Sequence, residues 1–158
     1  MFHSNVLHAA QRVLKPYRDR YSTIVGIHVR RGDRTNHAHN GPPPAAYFHQ
    51  AVHWAQRRYT DVVVVVVCQP NSKTWCRSEL SGIPMLPNGS PAVDLAVLAS
   101  CDHVIISTGT FSWWGGWLSG GDVVYYKNEL DWNWASYKQA PYFHKEWFAL
   151  RSPPPSHS

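Results

Sequence analysis

Two adjacent arginines, Arg30 and Arg31, close the apolar part of VGIHVRRGDR at residues 25–34 and are followed at once by Gly32 and Asp33. Guanidinium groups present planar forks of N–H donors, which suit a phosphate or carboxylate. Asp33 stands near enough in sequence to hold one fork by a charge-assisted hydrogen bond. Three readings compete: a diphosphate clamp, a strand end whose arginines snorkel into solvent, and an adhesion tripeptide Arg31-Gly32-Asp33. Along a strand, Gly26, His28 and Arg30 share one face, and Ile27, Val29 and Arg31 the other. Gly26 then permits close approach of a ligand or of backbone, and a turn at Gly32 brings Arg31 round to the mouth that His28 and Arg30 line.

A second stretch, STGTFSWW at residues 107–114, sets Thr108, Thr110, Phe111 and Ser112 where a strand becomes a helix. The free N–H groups and positive dipole end of such a turn attract anions. Neither G-x-x-x-x-G-K-[ST] nor G-x-G-x-x-G occurs in it. Gly115 and Gly116 each weaken the expected helix by about 1 kcal/mol relative to alanine, which close packing, ligand approach or imperfect helicity would explain. Asp94 falls in the first turn of another helix, where it either complements the dipole or accepts two N–H donors from a guanine edge. His37 and His39 read as polar loop residues. With no D-x-D pair in the chain, no metal is expected, and arginines would have to neutralise a diphosphate.

The elements that must position these residues alternate. Residues 23–29 read as a strand, the Gly-Pro-Pro-Pro loop at 41–44 leads into a helix to about Tyr59, and DVVVVVVCQP reads as a strand buried on both faces. Asn71 or Ser72 can cap a short helix to Leu80, and residues 83–86 suggest a short strand. Ser90 is a good N-cap before Pro91, with the helix running to about Cys101. HVIIST is a further buried strand, the helix after it closes at Gly120–Gly121, and VVYY starts another strand. Strands separated by helices of this length form βαβ units, so the expected fold is α/β, a Rossmann-like parallel sheet with flanking helices. In such sheets ligands bind beyond the carboxyl ends of the strands, where HVRRGD and STGTFSWW both fall.

Composition narrows the class. A chain of 158 residues with 44% hydrophobic and 16% charged residues is one globular domain, not a disordered one. Fifteen Lys and Arg against ten Asp and Glu favour an anionic partner. The largest basic clusters are only the pairs Arg30–Arg31 and Arg57–Arg58, so no nucleic-acid footprint is visible. Cys68, Cys76 and Cys101 lack C-x-x-C spacing; they are buried thiols, or Cys76 and Cys101 pair in a secretory lumen. The lone sequon, Asn88-Gly89-Ser90, is followed by Pro91. The longest apolar run is far short of the ~20 residues that span a bilayer, and the first residues are no signal peptide.

The ordered set VGIHVRRGDR, WCRSEL and SPAVDLAVLASCDHVIISTGTFSWWGGWLSGGDVVYY resembles the galactoside α-1,2-fucosyltransferases of glycosyltransferase family 11 over about residues 22–126. The resemblance implies the C-terminal, donor-binding half of a GT-B enzyme that moves L-fucose from GDP-fucose to the 2-hydroxyl of a terminal galactose on a glycan. Inversion and metal independence are implied with it. On this carry-over Arg30 and Arg31 hold the diphosphate, and His28 lies against the nucleotide. Asp94 reads guanine, while Thr108, Thr110, Phe111 and Ser112 contact phosphate or ribose. Arg30 and Asp33 are the catalytic candidates, with Asp33 better suited to orienting an arginine than to acting as general base.

Family members carry a membrane anchor, a stem and an acceptor-side half before this region. The chain is therefore expected to be a single donor domain over 1–150 with a disordered tail at 151–158, part of a longer enzyme on the lumenal side of the Golgi membrane. Two rivals stand beside it: a nucleotide-sugar-binding remnant without catalysis, and an interaction module displaying RGD or a basic face.

Overall fold

The run VVVVVVC forms strand β2 (Val62–Cys68), and its lack of alternation is explained by cover on both faces. A computed structural model describes residues 2–31, 42–127 and 143–151. Strand β1 (Thr23–Val29) pairs parallel with β2 from Thr23↔Val62 through Val29↔Cys68. On its other side β1 pairs parallel with β3 (His103–Ile105), then come β4 (Val123–Lys127) and β5 (Phe148–Arg151), in the order β2-β1-β3-β4-β5. The chain goes outward from β1 to β2 and then jumps back across β1 to β3. The topological switch point therefore lies between β1 and β3.

Two cores sandwich the sheet. Ile24, Val65, Val104 and Val123 pack under helices α1 (Ser4–Arg18) and α4 (Pro91–Ser100), with Phe111 of α5 (Thr110–Ser119) against the same cluster. Val25, Ile27, Val66 and Ile105 pack under α2 (Ala45–Arg58) and α3 (Lys73–Glu79), through Tyr47, Phe48, Cys76 and Leu80. Helix α4 starts as expected: Ser90 Oγ accepts the Val93 N–H at 3.2 Å, and Pro91 is the first helical residue. Helix α5 ends at Gly120, in the left-handed region at φ 71°.

Close packing accounts for the glycines inside α5. A Cβ on Gly115 would lie 2.9 Å from Leu98 Cδ1, and one on Gly116 would lie 2.9 Å from Val123 Cγ1. Gly26 serves the same end. A Cβ there would sit 2.8 Å from Cys101 Sγ, so it admits the C-terminal end of α4 rather than a ligand.

Several expectations are corrected. Helix α1 was not foreseen, although Ala10 and Leu14 are buried and Val6, Val13 and Tyr17 flank them at helical spacing. Arg18 anchors it to the start of β1's neighbourhood, donating to Asp102 Oδ2 at 2.6 Å, while Asp102 also accepts the Ile24 N–H at 2.8 Å. Residues 83–86 make only an isolated bridge, Met85 with Val66. Strand β3 is three residues long because the chain leaves the sheet to enter the turn before α5. Arg151, counted with the tail, closes β5, and residues 152–158 lie outside those described.

Cys76 bonds Cys68, not Cys101. Cys76 is on the α2–α3 side of the sheet with the end of β2, whereas Cys101 is buried on the opposite side, its Sγ donating to Val97 O at 3.3 Å. In denaturant, one thiol is expected to react with a thiol reagent before reduction and three after. Reaction of all three without reductant would contradict the pairing.

Candidate functional site

The strand ends separate where β1 and β3 part. Their pairing ends at Ile27↔Ile105, while β1 continues to Val29 beside β2 and the chain after β3 turns away through Ser107. His28 floors this gap. It is 4% exposed, its Nδ1 is 3.3 Å from Ser107 Oγ, and its ring centroid is 5.0 Å from that of Phe111. Burial, and secondarily the charge of Arg30, push its pKa from 6.5 down to about 4. It is a neutral imidazole at physiological pH.

That shift has a measurable consequence. Between pH 6.5 and about 4 the unfolded chain takes up this proton and the folded chain does not, so stability falls as pH is lowered through that window. His28→Gln is expected to flatten the decline in melting temperature there. Parallel curves for parent and variant would contradict the assignment.

The wall after β3 is a built turn. Gly109 holds φ 98°, a conformation costly for any residue with a Cβ, and caps α5. Ser112 is fully buried, and its Oγ accepts the Ser107 N–H at 2.8 Å, so this hydroxyl ties the turn together. Thr110 is exposed at the start of α5, and Phe111 packs on His28. Ser107, not singled out from the sequence, links His28 to this turn.

Buried polar atoms with no hydrogen bond among the described residues gather at the same edge: Thr108 Oγ1 after β3, Gln69 Oε1 after β2, and Asn88 Oδ1 before α4. Orphaned groups of this kind cost free energy unless something satisfies them, so this edge can take a polar partner. Asp94 belongs to it. Its Oδ1 accepts the Gly89 N–H at 2.8 Å and its Oδ2 accepts Asn88 Nδ2 at 3.2 Å, while Asn88 also donates to Cys68 O at 2.8 Å. These bonds occupy the sequon's asparagine and leave each Asp94 oxygen a further lone pair.

The two arginines do not converge. Arg30 directly follows β1, and its charge acts on His28. Arg31 is held on the α2–α3 side instead of swinging to the mouth. Its Nη1 donates to Pro43 O at 2.6 Å, its guanidinium carbon lies 4.0 Å from the centre of the Trp75 ring, and its N–H donates to Ser72 Oγ at 3.0 Å. Burial lowers its pKa, with the Glu79 carboxylate opposing. Asp33, His37 and His39 lie outside the described residues. Among the described residues no group of three His, Cys, Asp or Glu is placed to hold a metal ion.

A five-stranded parallel sheet with helices on both faces and a switch point between β1 and β3 is a Rossmann-like α/β architecture, the fold of one half of a GT-B protein. The same fold is found in a glycosyl transferase family 9 protein from Veillonella parvula, with TM-score 0.62 at 12% identity over 96% of this chain and 41% of that one. The heptosyltransferase WaaC of E. coli superposes with TM-score 0.53 at 15% identity, over 91% of this chain and 41% of that one. Residues 3–151 match the family model for glycosyl transferase family 11, and the chain belongs to that family.

It is 36% identical over 142 residues to galactoside alpha-(1,2)-fucosyltransferase 1 of Sus scrofa, covering 80% of this chain and 38% of the relative. For galactoside alpha-(1,2)-fucosyltransferase 2 of Bos taurus the identity is 36% over 143 residues, covering 80% and 40%. The chain thus spans about two fifths of the length of the curated relatives it matches. Among the described residues no helix is long and apolar enough to cross a membrane.

Proposed function

We propose that this chain is the donor-binding half of a galactoside α-1,2-fucosyltransferase, which takes L-fucose from GDP-fucose to the 2-hydroxyl of a terminal galactose. The observation that carries it is the buried, neutral His28 at the switch point, which feels the charge of Arg30 and packs against the turn that begins α5 through Ser107 and Phe111. In an inverting transfer the acceptor oxygen attacks the anomeric carbon as the bond to the β-phosphate breaks, and negative charge grows on that phosphate. Arg30, whose charge reaches His28, and the first N–H groups of α5 are the groups proposed to offset it. These fixed charges are the support for a metal-independent reaction.

His28, being neutral, does not repel Arg30, and it forms the wall against the nucleotide with Phe111. Asp94, with its backbone staple made, has lone pairs left for the N–H edge of guanine. Thr108 Oγ1 is a buried hydroxyl suited to a phosphate or ribose oxygen. Asp33 is proposed to orient Arg30. The Cys68–Cys76 bond suits an oxidising lumen, in keeping with a Golgi location. An RGD ligand is less well supported, since the Arg31 guanidinium is held by Trp75 and Pro43.

Calorimetric titration with GDP, ADP and GMP tests the donor reading. Saturable binding of GDP, much weaker for ADP and GMP, is expected; equal affinities or no binding would overturn it. Transfer from GDP-fucose to lactose by the same chain would exclude a remnant without catalysis.

A further inference from the structure

We propose that helix α3 is a positioning platform for the end of β1: Trp75 and Ser72 hold Arg31 away from the donor mouth, and thereby fix the Arg30–Arg31 peptide from which Arg30 meets the diphosphate. The inference rests on the donor reading given above. It gives Arg31 a task other than phosphate contact.

The contacts form a closed ring around the strand end. Ser72 is 2% exposed and stands at the N-cap of α3, yet its side chain makes no capping bond to its own helix. Its hydroxyl instead accepts the Arg31 N–H at 3.0 Å. That N–H shares a planar peptide unit with the Arg30 carbonyl, so fixing it sets the plane directly after the Arg30 Cα. The Arg31 side chain is gripped separately, by Pro43 O at 2.6 Å and by the Trp75 ring at 4.0 Å.

The platform itself cannot drift. Cys76, next to Trp75, is bonded to Cys68, whose partner across the sheet is Val29. The Trp75 ring also meets Phe48 of α2 edge to face at 5.8 Å. For Arg31 to reach a ligand on the His28 face it would have to abandon Trp75, Pro43 and the Glu79 field together. Arg31 is held on the α2–α3 side by Trp75 and Pro43, whereas the charge of Arg30 acts on His28, so the two arginines are divided in labour.

Titrations with GDP and with guanosine, on the parent chain, Trp75→Leu, Trp75→Phe, Arg31→Ala and the double variant Trp75→Leu/Arg31→Ala, test this. Trp75→Leu is expected to weaken GDP binding about tenfold and leave guanosine binding unchanged, because only the phosphate contact depends on the Arg30–Arg31 peptide. Trp75→Phe keeps an aromatic face and should recover most of the loss. The double variant should bind GDP no more weakly than Arg31→Ala alone, since both changes sever one contact.

Additive losses would overturn the inference by making Arg31 a ligand contact independent of Trp75. So would equal weakening of GDP and guanosine, the mark of general disruption, or full GDP affinity in Trp75→Leu. A parent chain that binds no GDP overturns the donor reading, and this inference with it.

Discussion

Arg30→Ala is expected to weaken GDP binding by about 2–5 kcal/mol, the usual loss when one partner of a desolvated charge pair is truncated. Arg30 directly follows β1, and its charge reaches His28, which packs against Phe111 of α5. Without it, a diphosphate there would meet only the helix dipole and the N–H groups of that turn, and a dipole is worth about 0.3–1 kcal/mol. Arg30→Lys keeps the charge but loses the planar fork, so an intermediate affinity is expected. The arginine charge is also one of the two causes that depress the His28 pKa. In Arg30→Ala the window in which acid destabilises the fold should therefore narrow from its low-pH end. Calorimetry at fixed ionic strength checks the first effect and melting curves against pH the second. GDP affinity unchanged within about twofold would refute the contact.

Gly115→Val is expected to destabilise the chain by about 1–3 kcal/mol, lowering the melting temperature by about 3–10 °C, and to weaken GDP binding with it. The new Cβ meets Leu98 Cδ1 at 2.9 Å and Leu98 Cβ at 3.1 Å, and Leu98 is fully buried with no free space to enter. Removing a helical glycine returns less than about 1 kcal/mol, too little to offset the overlap. The strain is relieved by moving α5 away from α4, which carries Thr108, Gly109 and Thr110 out of place. Trp114→Ala is the control, since Trp114 lies 49% exposed on the same helix and should change stability little. A Gly115→Val chain as stable as the parent would mean that α5 does not pack as described.

Much of the fold was legible because local signals and burial agreed. The valine run of β2, the Ser90-Pro91 start of α4 and the glycine stop of α5 each report a constraint that acts within a few residues. Helix α1 was missed although Val6, Ala10, Val13, Leu14 and Tyr17 keep helical spacing: Pro16 falls in its last turn, and its anchor is Asp102 on a distant turn. Strand β5 was missed because FALR carries too few residues to show a period; β4 supplies its pairing.

The site divides in the same way. That Arg30 and the β3–α5 turn share an edge followed from strand direction alone. The separation of Arg31 did not, because it depends on Trp75 and Ser72, forty residues further along. Ser72 looked like a cap because a buried hydroxyl before a helix usually is one; here a strand end competes for it. The Cys68–Cys76 pair was hidden for a related reason, since the return of α3 over β2 is a tertiary event.

The most direct measurement is a crystal structure of the chain with GDP. The expected result is a diphosphate within hydrogen-bonding distance of Arg30 and the N-terminal turn of α5, with guanine against Asp94 and Arg31 still stacked on Trp75. A nucleotide bound away from the β1–β3 switch point, or a diphosphate without contact to Arg30, would contradict it.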